Sequence, residues 1–221
     1  MKTVAIITAA GHGKRMGRPK QFLEIGGKPI LEWTISAFQS ADVIDEIILV
    51  VNKGDVEKGK AFKYPKLTKV VAGGDERQIS VNNGLKMVAG DVGIVAIHDG
   101  SRPFISPEII EEAVCEAEAS GAVVVGVPVY DTIKQVRRDS SACVVRTLDR
   151  SDLWRAQTPQ VFRKEIILKA YQCSGRVTDD AMLVEKMEVP VKMVMGSYKN
   201  FKITTPEDLA IAEKMINEGV A

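Results

Sequence analysis

Apolar runs of strand length recur along the chain at 3–9, 46–51, 69–72, 93–98 and 122–127, mostly without polar alternation. Such unbroken runs mark strands covered on both faces. Between them the apolar spacing becomes helical: Leu31, Ile35 and Phe38 share one face after the first run, and Ile109, Ile110, Ala113 and Val114 share another after Gly100. Two helix starts are written in residue type. Ser106-Pro107-Glu108 and Thr205-Pro206-Glu207-Asp208 each place a hydroxyl before a proline in the first turn, followed by acid. Strands alternating with helices predict an α/β fold, a mostly parallel twisted sheet with helices on both faces.

The rhythm breaks at 130–154, which is charged, rich in Thr, Arg and Asp, and apolar only in short patches such as Cys143-Val144-Val145. This stretch reads as a protruding excursion from a single domain spanning 1–221, since no repeat, low-complexity tract or linker divides the chain. Ligands of open α/β sheets bind beyond the carboxyl ends of the strands. The loops after Ala9, Ala72, His98 and Val129 are therefore the places to look for a site.

Charge narrows the choice of ligand. Thirty basic residues against 29 acidic ones leave a net charge of +1, so no global field draws the chain to nucleic acid or to an anionic membrane. An anionic ligand must instead meet a local cluster. The apolar run at 4–10 is too short to span a bilayer. Cys115, Cys143 and Cys173 are too few and too scattered for a disulfide framework or a metal site; they predict packing or surface positions in a reducing, cytoplasmic setting.

The local cluster lies after the first run, in Gly11-His12-Gly13-Lys14-Arg15-Met16-Gly17-Arg18-Pro19-Lys20. Glycines let backbone N–H groups turn toward a phosphate, and Lys14, Arg15, Arg18 and Lys20 can neutralise it. The dinucleotide fingerprint fails at Met16, where it needs glycine, and no GK[ST] follows for a Walker loop. His12 reads as a loop side chain rather than a metal ligand. After the fourth run, His98-Asp99 delivers a carboxylate at a strand tip, where it needs a cation or donors to offset desolvation. His98 falls on the opposite side of that strand and predicts a packed, hydrogen-bonded histidine.

The segment A-A-G-x-G-x-R-M followed by P-K-Q-F resembles the signature loop of the 2-C-methyl-D-erythritol 4-phosphate cytidylyltransferases, nucleotidyltransferases of the non-mevalonate isoprenoid pathway with a Rossmann-like sheet. The likeness continues through Gly73-Gly74-Asp75-Glu76-Arg77 with Ser80, His98-Asp99 with Arg102-Pro103, Pro128 to Lys134, Leu148 to Gln160, Thr178-Asp179-Asp180-Ala181 and Lys202. It covers the whole chain, with the motifs in order. Where the family carries two alanines this chain has Gly100 and Ser101, also small, so the difference bears only on fine contacts to ribose.

That resemblance implies the following roles. Arg15, Lys20 and Lys202 would act on the phosphates of CTP, while Ala9, Ala10, Gly11, Gly13, Gly100 and Ser101 hold the nucleotide. Gly74, Asp75 and Ser80 would surround the cytosine. Asp99 would support Mg²⁺ and the acceptor, and Arg102, Thr132, Arg150, Thr158 and Thr178 would bind the acceptor. The 130–154 excursion would be an arm interlocking a homodimer, with Arg150 entering the neighbour's site. The implied reaction joins the CMP part of CTP to 2-C-methyl-D-erythritol 4-phosphate and expels pyrophosphate. A phosphate monoester has its second pKa near about 6 and is largely dianionic at neutral pH, so no general base is needed. Two other readings compete. A ribitol 5-phosphate cytidylyltransferase has nearly the same loop but tends to begin it AGG rather than AAG, and a noncatalytic nucleotide-binding domain would not need Arg15, Lys20, Asp99 and Lys202 together.

Overall fold

The computed structural model describes residues 1–219 apart from 12, 14, 15, 18, 138–141, 174 and 176. Its strands are β1 Lys2–Ala9, β2 Glu24–Ile25, β3 Lys28–Pro29, β4 Glu46–Val51, β5 Leu67–Ala72, β6 Val92–Asp99, β7 Ala122–Pro128, β8 Lys134–Val136, β9 Val144–Thr147, β10 Trp154–Arg163 and β11 Lys192–Met195. The helices are α1 Ile30–Ser40, α2 Val56–Ala61, α3 Arg77–Leu85, α4 Pro107–Ser120, α5 Lys164–Ala170, α6 Ala181–Glu185 and α7 Pro206–Asn217. Seven strands form one sheet in the order β11-β7-β10-β6-β1-β4-β5. All neighbours are parallel except β10, which runs antiparallel between β6 and β7.

The unbroken apolar runs are the central strands, as the pattern predicts. Along β1, Ala5, Ile7 and Ala9 face the layer holding α1 and α4, while Val4 and Ile6 face the layer holding α3, α5 and α6. Leu31, Ile35 and Phe38 of α1 and Ile110, Ala113 and Val114 of α4 fill the first layer. Ile109 packs only at its edge. On the other side α3 comes close because its Gly84 has no side chain: a Cβ there would stand 2.7 Å from Ile6 Cγ2. Both sheet faces are therefore dry, which is what a mostly parallel sheet requires.

Three expectations need adjusting. Thr205 does cap α7 in a reciprocal capping box with Asp208, but Ser106 makes no side-chain cap at α4. Strand β10 was not among the apolar runs, because Gln157, Thr158 and Gln160 interrupt it. These side chains are nonetheless buried, and each finds a protein hydrogen-bond partner. Strand β11 is too short and mixed to stand out. The excursion itself is real: β8 and β9 pair as an exposed antiparallel ribbon leaving the sheet after β7 and returning at β10. Residues 138–141, between β8 and β9 in the sequence, lie outside the described residues.

Candidate active site

Two adjoining cavities open at the carboxyl ends of β1 and β6. The first, about 380 Å³, is lined by Ala9, Ala10, Gly11 and Gly13 after β1, by Lys20, by Gly74, Asp75 and Ser80 after β5, by Asp99, Gly100 and Ser101 after β6, and by Lys202. Every residue assigned to the nucleotide by resemblance is thus gathered on one wall system, apart from Arg15, which lies outside the described residues. The second cavity, about 300 Å³, is lined by Arg102, Thr158 and Thr178 among others. Arg77, Asp99 and Lys202 line both and form the common wall.

The nucleotide-side loop is built by close approach. A Cβ on Gly73 would stand 2.4 Å from Ala10 Cβ and 2.6 Å from Ser80 Oγ, so only glycine lets the loops after β1 and β5 meet. Ser80 Oγ accepts from the Gly74 N–H at 3.1 Å and has the Gly74 and Glu76 carbonyls at 3.3 and 3.2 Å. The expected base-reading hydroxyl is therefore engaged in closing the loop at the base of α3, and Ser80 shapes the cavity wall. Lys20 donates to the Ile203 carbonyl across the cavity, next to Lys202.

At the common wall, Asp99 is 7 % exposed and meets three cations. Arg77 Nε lies 3.1 Å from Oδ1, Lys202 Nζ lies 2.9 Å from Oδ2, and Arg102 Nε lies 3.6 Å from Oδ2. Burial alone would raise this carboxyl, but Arg77, then Lys202 and Arg102, hold it well below the usual carboxylate range. Asp99 is ionised at neutral pH. Burial lowers Arg102 from the ordinary arginine value while Asp99 pulls the other way. Arg102 also donates to the Asn200 carbonyl at 2.8 Å, which fixes it over the second cavity.

His98 supports this wall from behind, as its place on the strand predicts. The Arg102 carbonyl at 3.2 Å from His98 Nε2 can only accept, so Nε2 carries the proton and Nδ1 is an acceptor. The Thr158 hydroxyl, 3.0 Å away, then donates to Nδ1 and accepts the Asp99 backbone N–H at 3.1 Å. Burial against Phe38 pushes His98 down to about 3, which agrees with a permanently neutral ring. Thr158 also lines the second cavity, where it is expected to meet the acceptor; the proton of its hydroxyl is directed at His98, so toward a ligand that oxygen can only accept.

Thr178 is exposed and lines the second cavity. Thr132 and Arg150 are not brought to either cavity by this chain: both are exposed on the ribbon side, and Arg150 donates to the Tyr130 carbonyl. Arg77 is the residue whose part the motifs understate. It opens α3, where the helix macrodipole disfavours a cation. That modest unfavourable term is offset here by the two buried carboxylates it meets, Asp180 and Asp99. Burial works against its charge, but Asp180 and Asp99 hold it above the ordinary arginine range.

A Gly-rich loop, converging lysines and a single ionised carboxylate on the wall between two cavities, all at the carboxyl edge of a doubly covered sheet, define a protein of the nucleotidyltransferase class. Residues 3–218 match the family described as 2-C-methyl-D-erythritol 4-phosphate cytidylyltransferase. A protein of that name from Alkaliphilus oremlandii is 47 % identical over 226 residues, covering 97 % of this chain and 95 % of its own. One from Caldanaerobacter subterraneus is 46 % identical and covers 99 % of this chain and 100 % of its own. Among solved structures, the 4-diphosphocytidyl-2C-methyl-D-erythritol synthase of Anaerococcus prevotii superposes with a TM-score of 0.86 at 34 % identity, covering 98 % of this chain and 96 % of its own. The chain belongs to the 2-C-methyl-D-erythritol 4-phosphate cytidylyltransferase family.

Proposed function

We propose that this protein transfers the CMP part of CTP to 2-C-methyl-D-erythritol 4-phosphate, forming 4-diphosphocytidyl-2-C-methyl-D-erythritol and pyrophosphate. The observation that carries the reading is the common wall: a nucleotide-sized cavity and a smaller cationic one share Arg77, Asp99 and Lys202. The acceptor phosphate, already dianionic, attacks the α-phosphorus in line, and the bond from that phosphorus to the bridging oxygen breaks. Two anions must approach and a third must leave. Lys20 and Lys202 lower that barrier by facing the phosphates, and Arg102 would hold the acceptor's charge. No residue has to move a proton for this step.

A divalent metal, Mg²⁺, fits the residues present. No group of three or more His, Cys, Asp or Glu converges among the described residues, so an all-protein cage is not offered. One ionised carboxylate facing a phosphate cavity is the usual protein share of a Mg²⁺ site, with substrate phosphates completing it. Asp99 would hold the ion, which when bound neutralises charge on the triphosphate.

The working unit is a homodimer in this reading. Val136 and Val144, paired across the ribbon, stand 45 and 59 % exposed on one face of it, and Val145 stands 53 % exposed on the other. A second copy there would also bring Thr132 and Arg150 to a site. No helix among the described residues is long and apolar enough to cross a membrane. Cys115, Cys143 and Cys173 are exposed, which suits the reducing cytoplasm.

The test is pyrophosphate release from CTP with a panel of acceptor phosphates. Release with 2-C-methyl-D-erythritol 4-phosphate at least about a hundredfold faster than with ribitol 5-phosphate is expected, because a shaped polar pocket rejects mismatched hydroxyls strongly. Preference for ribitol 5-phosphate, or no release with any acceptor, would overturn the reading.

A further inference from the structure

Behind the common wall lies a second buried carboxylate that the transfer reaction does not touch. Asp180 is 1 % exposed, and its Oδ1 accepts from the Tyr171 O–H at 2.6 Å while its Oδ2 lies 2.8 Å from an Arg77 guanidinium nitrogen. Burial pushes the Asp180 carboxyl above the usual carboxylate value, and Arg77 followed by Tyr171 offset only part of that rise. The same turn is pinned to β10: Gln160 Oε1 accepts from the backbone N–H groups of Asp180 and Ala181 at 3.1 and 2.9 Å, and Gln160 Nε2 donates to Asp179 Oδ2 at 2.9 Å. Arg77 then reaches forward to Asp99 at 3.1 Å.

We propose that Asp180 is a positioning residue for the transfer: through Arg77 it fixes how the Asp99 carboxylate is presented at the wall between the two cavities. The guanidinium is a rigid fork, and with one nitrogen ion-paired to Asp180 and Nε hydrogen-bonded to Asp99 it is restrained from swinging toward a phosphate. Sharing its charge between two carboxylates also leaves Asp99 with a charge that Lys202 and a substrate-borne cation can use. Without Asp180, Arg77 would close fully onto Asp99 or leave it for the incoming triphosphate. A lysine could not replace it, since a point charge on a flexible stem does not span two carboxylates in fixed directions. The proposal rests on the reading of function above only for the identity of the reaction.

A merely structural role is the rival, because Asp180 also belongs to the turn that Gln160 clasps. The two are separated by a double-mutant cycle on Asp180→Asn and Arg77→Gln, with CTP and the acceptor in steady state. Asp180→Asn is expected to lower kcat about 10- to 100-fold with KM for CTP within about threefold, and to add less than about threefold once Arg77 is Gln. An equal fall in both backgrounds, or kcat within about twofold of wild type, would overturn the proposal. Should Asp180→Asn not fold, Arg77→Lys keeps the charge but not the fork and is expected to lose at least about tenfold in kcat; wild-type kcat there overturns it equally. A crystal structure of Asp180→Asn, or of Arg77→Lys in its place, gives a readout independent of turnover. The contact from residue 77 to Asp99 should shift or break, and an unchanged contact sinks the positioning role whatever the acceptor is. Failure of the wild-type protein to release pyrophosphate with any acceptor would instead count against the assigned reaction.

Discussion

Lys202 Nζ lies 2.9 Å from Asp99 Oδ2, so a lysine expected to act on the phosphates of CTP is held on a carboxylate of the same wall. The pairing keeps the ammonium pointed at the place where the two cavities meet and gives it a partner before any phosphate arrives. Removing one preorganised charge contact to a transition state typically costs about 10²- to 10³-fold in turnover, or about 3 to 4 kcal/mol. Lys202→Ala and Lys20→Ala should each do so while the protein stays folded, since both side chains sit at the cavity and not in the core. Steady-state rates beside thermal melts check this, and near wild-type turnover in either variant would remove its assigned role.

His98 should make stability depend on pH. Its folded value is pushed down to about 3, against about 6.5 in an unfolded chain. As pH falls, the unfolded state therefore takes up a proton first, so stability present above about pH 6.5 is lost as pH falls toward about 3. From about pH 7.5 to about pH 5 the loss should be roughly 2 kcal/mol, before most carboxylates titrate. His98→Gln can donate to the Arg102 carbonyl and accept from Thr158 without titrating, so its melting temperature should fall less over that interval. Parallel pH dependence in the two proteins would show that His98 does not carry the effect.

Nucleotide choice should rest on neutral groups around Gly74, Asp75 and Ser80. The amino and carbonyl edge of cytosine presents the opposite donor and acceptor pattern to uracil, so CTP should be strongly preferred over UTP. Because the Ser80 hydroxyl closes the loop that carries Gly74, Ser80→Ala should raise KM for CTP about tenfold and change kcat less. Competition assays with the two nucleotides check both, and equal use of CTP and UTP by the wild-type protein would refute a base-reading pocket.

The parts of this fold and site that were legible in the chain are those carried by apolar runs and contiguous motifs. Strands β1, β4, β6 and β7 stand out because both their faces are dry, and the loops after them fall where glycine and charge concentrate. What stayed hidden depends on contacts between distant segments. Strand β10 looks polar because Gln157, Thr158 and Gln160 are satisfied by partners about 20 to 60 positions away, which no local pattern reveals. Ser80 and Thr158 carry hydroxyls suited to a ligand, yet Ser80 also bonds the Gly74 loop and Thr158 also bonds His98 and Asp99 of β6, contacts that no local pattern shows. The Arg77–Asp180 pair needs α3 and the turn before α6 to be juxtaposed, which no contiguous motif records.

The arm offers the sharpest test of assembly. Arg150 is expected to reach an acceptor, yet in its own chain it lies outside both cavities and donates to Tyr130 on the ribbon side. These facts agree if the arm of one subunit completes the site of the other across a two-fold axis. Arg150→Ala should then weaken acceptor use much more than CTP binding, because the nucleotide loop stays intact. Mixing that protein with Lys20→Ala separates the alternatives. In a mixed dimer one site receives both defects and the other neither, so two nearly inactive proteins should together regain activity on subunit exchange. Random exchange makes about half the dimers mixed, each with one intact site of two, so recovery should approach about a quarter of wild-type activity. If exchange is demonstrated by mass spectrometry and no activity returns, Arg150 acts within its own subunit or not at the site at all.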